Sequence, residues 1–67
     1  MIGRIVEIAE DGRHVAVHRG FLIVSAGGTE LGRVPLDDLA AVIANAHGIT
    51  FSNSALLELA NRCVAVV

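Results

Sequence analysis

Three histidines, seven carboxylates and one cysteine in 67 residues could in principle build a metal site or an activated nucleophile. Their spacing argues against both. His14 and His18 share one face of an extended segment, and at about 3.3 Å per residue their Cα atoms stand about 13 Å apart, too far to share an ion directly. His47 and Cys63 lie elsewhere, at no zinc-ligand spacing. Ser25, Ser52 and Ser54 have no G-x-S-x-G elbow around them. Cys63 falls on the expected core stripe of a helix, which reads as packing rather than nucleophilic chemistry. Gly27-Gly28 precedes a strand, whereas phosphate loops precede a helix N-terminus. Asp37-Asp38 are adjacent, so their side chains diverge and they read as solvated turn residues. These residues predict no catalytic group and no metal site.

One cluster carries a different chemistry. Arg13-His14 and His18-Arg19 bracket a short β-like segment and place cation-capable side chains at both of its ends. Arg13, His14 and Arg19 are therefore the candidates for contacts to DNA, set against the plainer reading of exposed hairpin residues. The formal charge of −2 gives no global basic signature, and all five cations are arginines.

The elements that must position these residues follow from periodicity. Residues 2–10 form a β-rich run, and Asp11-Gly12 supplies a two-residue hairpin signal. "RHVAVH" alternates, with Val15 and Val17 on one face and His14, Ala16 and His18 on the other. Arg19-Gly20 turns into "FLIVS", apolar on both faces and so expected at a sheet centre. Ala26-Gly27-Gly28 turns again into "TELGRVPL". Four strands joined by tight turns predict an antiparallel meander.

The segment "VPLDDLAAVIANAHG" gives a conflicting signal. Pro35, Asp37 and Asp38 suit a helix start, while Val42 and Ile43 favour a strand. The residues C-terminal to it decide between the two. "SNSALLELANRC" places Leu56, Leu59, Ala60 and Cys63 at helical spacing, with Ser52 or Ser54 as N-cap and Asn61-Arg62 at the negative end. "VAVV" behind it is β-like again. That is β–α–β order, and a buried parallel strand reads as a continuous apolar run. Residues 39–45 are thus predicted as a strand fed by a turn or one-turn helix at 35–38. The fold class is mainly β with one helix (α+β), a small antiparallel meander or β-sandwich followed by a β–α–β tail.

Hydrophobic residues make up 54% of the chain, more than a domain of this size easily hides. "CVAVV" ends with no cap or polar tail, which predicts that residues 1–67 are one domain of a longer protein. A single cysteine, no signal peptide and no run near the roughly 20 apolar residues of a membrane span predict a soluble, cytoplasmic protein with no membrane partner.

The stretch "GRVPLDDLAAVIANAHGITFSNSALLELANRCVAVV", with "GRIVEI" and the Asp11-Gly12 turn before it, resembles the N-terminal β domain of the CRISPR adaptation integrase. That family comprises the metal-dependent DNA endonucleases that insert spacers in antiviral defence. The likeness is strongest to versions accompanying single-effector RNA-guided nucleases, and it covers essentially the whole chain. It implies a β domain followed by a larger helical domain whose glutamate, histidine and acidic ligands bind magnesium or manganese. None of those motifs is present here, so catalysis would belong to that helical domain and no cofactor to this one. The resemblance further implies a homodimer, a small ferredoxin-like adaptation subunit as partner, and duplex DNA held by the assembly. In some members an aromatic or imidazole ring brackets the duplex end, and His14 would be the nearest equivalent. The function expected is dimerisation and DNA positioning. The alternative is a free-standing β-rich interaction module with no nucleic-acid role.

Overall fold

The computed structural model describes residues 4–67. It contains strands β1 (Arg4–Ile8), β2 (His14–His18), β3 (Phe21–Ala26) and β4 (Thr29–Pro35), then a 3-10 turn (Leu36–Asp38) and β5 (Leu39–Ala44). Strand β6 (Thr50–Phe51), helix α1 (Asn53–Asn61) and β7 (Ala65–Val66) complete the order. The chain is mainly β with one helix, arranged as two sheets. One holds β1, β5 and β7, all parallel, in the order β1-β5-β7. The other has the order β4-β3-β2-β6, antiparallel except where β6 runs parallel to β2.

Both sheets and the helix share one core. Ile8, Leu39 and Val42 come from the parallel sheet, Val15 and Leu22 from the mixed sheet, Leu59 from α1, and Leu36 and Val64 from the segments between. Val15, Leu22 and Val42 are wholly shielded from solvent. Their positions follow from the pattern: Val15 and Val17 face inward from β2, and β3, apolar on both faces, lies between β4 and β2.

The expected four-strand meander holds only for β2, β3 and β4. Strand β1 leaves that sheet and pairs in parallel with β5, from Ile5 opposite Ala41 to Ile8 opposite Ala44. Ile2 and Gly3 of the expected strand lie outside the described residues. The reason is a competition for neighbours. β5 is apolar along its length and needs partners on both edges, while β2 already has β3 and β6 on its own. Asp11-Gly12 does turn the chain, with Gly12 at φ +73°, but it links two sheets rather than two paired strands.

The two remaining tight turns are true hairpins. Arg19-Gly20 connects His18 to its partner Phe21, and Gly27-Gly28 connects Ala26 to Thr29. All four turn residues have positive φ, as a two-residue turn matching strand twist requires. Arg19, at φ +51°, holds a conformation that glycine or asparagine adopts more easily.

Helix α1 carries the second correction. Ala55 and Leu59, four residues apart, face the core, while Leu56 is 46% exposed, and Ala60 and Cys63 also face solvent. Ser52 caps the helix, its Oγ accepting from the Ala55 N–H at 3.0 Å. The C-terminus closes in the two-bond manner of a left-handed cap: Cys63 N–H donates to the Ala60 carbonyl and Val64 N–H to that of Leu59. Cys63 occupies the left-handed position at φ +57°, which turns its side chain out and lets Val64 fold back onto Leu59. The stripe expected at Leu56, Leu59, Ala60 and Cys63 is therefore shared: only Leu59 of the four is buried. Among the described residues, no helix is long and apolar enough to cross a membrane.

Candidate nucleic-acid interface

Arg13 and His14 stand where two loops are locked together. The Asp11 carboxylate accepts from the His47 N–H at 2.9 Å, Gly12 N–H donates to the His47 carbonyl, and Thr50 N–H donates to the Arg13 carbonyl. Gly48, at φ +70°, lies beside the Gly12 backbone. These bonds join the segment before β2 to the segment before β6, 36 residues on in sequence. The Asp11-Gly12 turn thus fastens the end of the molecule from which Arg13 and His14 emerge.

The two side chains then diverge, as consecutive residues entering a strand do. Arg13 is half-buried, donates from Nη1 to the Asp11 carbonyl at 3.2 Å, and lines a groove with Val6, Ile8, Glu10, Val24 and Leu31. His14 lies exposed on the outer face of the mixed sheet, its Nδ1 2.6 Å from the Thr50 hydroxyl. Arg19 sits at the other end of β2, at the tip of the β2–β3 hairpin. The three candidates are not brought into one patch. His14 and Arg19 mark opposite ends of the outer sheet face, and Arg13 opens onto the groove.

Between those ends the outer face is organised by cross-strand register. Ser25 lies opposite His14, Ile23 opposite Ala16 and Phe21 opposite His18. On β4, Glu30 lies opposite Ser25, Arg33 opposite Ile23 and Pro35 opposite Phe21. The Arg33 guanidinium is 5.4 Å from the centre of the Phe21 ring and donates from Nε and Nη2 to the two Glu30 carboxylate oxygens, each at 2.8 Å. That fork holds the Glu30 carboxyl below the ordinary carboxylate range and raises the Arg33 guanidinium above its own. Arg62 plays a similar part at the helix end. Bonds to Glu58 and then Asp37 raise it and tie α1 to the 3-10 turn.

Sequence reasoning identified the cations of β2 but neither Thr50 nor the Phe21–Arg33 contact. Thr50 is joined to His14 across 36 positions, for which no local pattern exists. Phe21 reads as core in an apolar run, and only the register of β4 brings Arg33 above it. Among the described residues, no three of His, Cys, Asp and Glu gather as a group that could hold a metal ion.

No family model and no curated protein matches the chain. Solved structures do share its fold. A chain of a "Partial Cas6-RT-Cas1--Cas2 complex" superposes with a TM-score of 0.73 over 85% of this chain at 24% identity. A chain of a "Cas6-RT-Cas1--Cas2 complex" superposes with a TM-score of 0.81 over 97% at 20% identity. This chain spans 17% and 7% of the two matched chains respectively. At such identities the likeness shows the fold, and it is a fold that occurs in the CRISPR adaptation complexes.

Proposed function

We propose that this chain is the N-terminal β domain of a CRISPR spacer-acquisition integrase, acting in dimerisation and DNA positioning without catalysing the reaction itself. The observation that carries this reading is the likeness over 97% of the chain to part of a Cas6–RT–Cas1–Cas2 complex. The resemblance of the stretch from Gly32 to Val67 to the N-terminal domain of that family supports the same reading. Its partners would be a second copy, a small ferredoxin-like adaptation subunit and duplex DNA. Divalent-metal nuclease chemistry would belong to a helical domain of a longer cytoplasmic polypeptide.

In this reading Arg13, His14 and Arg19 meet the DNA backbone. An arginine–phosphate contact releases counterions and so weakens binding for every sequence when it is removed. The test is duplex affinity across a salt series for the intact chain and for an Arg13→Ala, His14→Ala double variant, with light scattering on the same samples. The expected result is a dimer whose duplex affinity falls in the variant, with a salt slope shallower by about one. A monomer whose weak binding is unchanged by the substitutions would refute it.

A second reading, a β-rich interaction module without nucleic acid, draws on Leu56 and Leu57. They lie on the solvent side of α1 at 46% and 58% exposure. Self-association without any duplex affinity would favour that module.

A further inference from the structure

The corner of the outer sheet face around the β2–β3 hairpin has a composition its neighbours lack. His18 and Phe21 form the cross-strand pair that closes the hairpin, and Arg19 projects from its tip. Arg33 reaches across from β4 and lies over the Phe21 ring. The register thus sets the His18 imidazole beside the half-buried Phe21 ring, with Arg33 over that ring and Arg19 at the adjoining exposed tip.

Carboxylates are nearly absent from this face, although the chain as a whole is acidic. Glu30 is the one the register places on it, and both its oxygens are engaged by Arg33. Glu7 and Glu10 line the groove on the far side of the mixed sheet, and Asp11 is bonded to the His47 amide. The 3-10 turn touches the corner through the Leu36 N–H, which donates to the Gly20 carbonyl at 2.9 Å. Its carboxylates, Asp37 and Asp38, line a separate depression with Arg62, and Glu58 is also held by Arg62.

Glu30 grips the Arg33 guanidinium at two points, which fixes its place above the ring. Aromatic rings and guanidinium planes on an open sheet face, flanked by positive charge, are the chemistry by which unpaired bases are held.

We propose that this corner binds single-stranded nucleic acid. A base stacks on the His18 imidazole and on the outer plane of the Arg33 guanidinium that covers Phe21, and the flanking phosphate meets Arg19. The inference rests on the nucleic-acid reading above for its ligand class and shares Arg19 with it, but it otherwise uses a different part of the surface from Arg13 and His14.

The test is fluorescence anisotropy of the intact chain with a labelled oligothymidylate and with a duplex of equal length, paired with amide NMR spectra of both titrations. Single strand is expected to bind at least as tightly as duplex, with shifts centred on His18, Phe21, Ile23 and Arg33. Phe21→Leu should weaken single-strand binding about five- to tenfold while changing duplex binding less than about twofold. Arg19→Gly, which relieves backbone strain and so does not threaten folding, should weaken it about threefold and flatten the salt slope.

Shifts confined to the residues around Arg13, His14 and Thr50 would overturn this proposal while leaving the duplex reading intact. Shifts on this face that grow with protein concentration alone would make it an interface between copies and also overturn it. Binding to neither ligand would remove both readings.

Discussion

Glu30 and Arg33, three residues apart in one strand, lie on the same face of the sheet and form a two-point ion pair at 2.8 Å. In a regular strand, positions i and i+3 point to opposite faces. The register of β4 explains the exception. Gly32 lies opposite Val24 and Glu30 opposite Ser25, so Leu31 is an extra residue in the ladder. The bulge turns Glu30 outward beside Arg33 and leaves Leu31, 55% exposed, at the mouth of the groove.

The pair therefore predicts a pH-dependent contribution of known sign. The Glu30 carboxyl is held below its ordinary value by the Arg33 bond, so any stability it adds is present above the unfolded-state carboxylate range and is lost as pH falls through the depressed one. Both side chains are about half exposed, so the effect is small and screened by salt. Comparing the melting temperature of the intact chain with that of Glu30→Gln should show a modest gap at neutral pH that closes on acidification. A gap that widens in acid would contradict this assignment.

Leu22 is fully buried in a central strand, at the meeting of both sheets and the helix. Leu22→Ala should cost about 2–5 kcal/mol, from lost burial plus an incompletely collapsed cavity. A domain this small has little reserve, so urea denaturation should find the variant largely unfolded at 25 °C.

Ser52 is the N-cap of α1. Ser52→Ala leaves the Ala55 N–H without its partner and should cost about 1 kcal/mol, whereas Ser52→Asp should retain most of the stability. Equal denaturation midpoints for the alanine variant and the intact chain would show that the cap does not contribute.

Cys63 occupies the left-handed cap position that glycine fills at lowest cost. Cys63→Gly should raise stability by about 1 kcal/mol, because the penalty on a Cβ at positive φ is removed. In the folded protein Cys63 should also react with an aromatic disulfide reagent without prior unfolding, since it is exposed. Protection of the thiol until denaturant is added would contradict the exposed placement.

Asp11→Ala should loosen the junction between the two loops. The His47 amide, which donates to the Asp11 carboxylate, should then exchange with solvent faster, while the Val15 and Leu22 amides within the sheet keep their protection. Uniform loss of protection would instead indicate global destabilisation.

Local pattern determined much of this protein. The β2–β3–β4 meander follows from alternation and from turn residues that accept positive φ. The 39–45 strand followed by a helix and another β run is legible because a continuous apolar run must be covered on both faces. The serine cap and the fold class are equally local in origin, and so are Arg13, His14 and Arg19 as candidate contacts.

What tertiary structure decided is the choice among partners, because pairing energy depends on which edges are free rather than on the strand's own residues. β1 has the sequence of a hairpin strand, but β5 needs a second neighbour and takes it. The inner face of α1 was settled by packing against β2 and the shared core, which buried Ala55 and Leu59 and left Leu56 outside. The bulge at Leu31 is invisible in the composition of β4, yet it alone brings Glu30 beside Arg33, whose guanidinium then lies above Phe21. His14 meets Thr50 for the same reason: contacts across 36 residues arise from packing, and no local period encodes them.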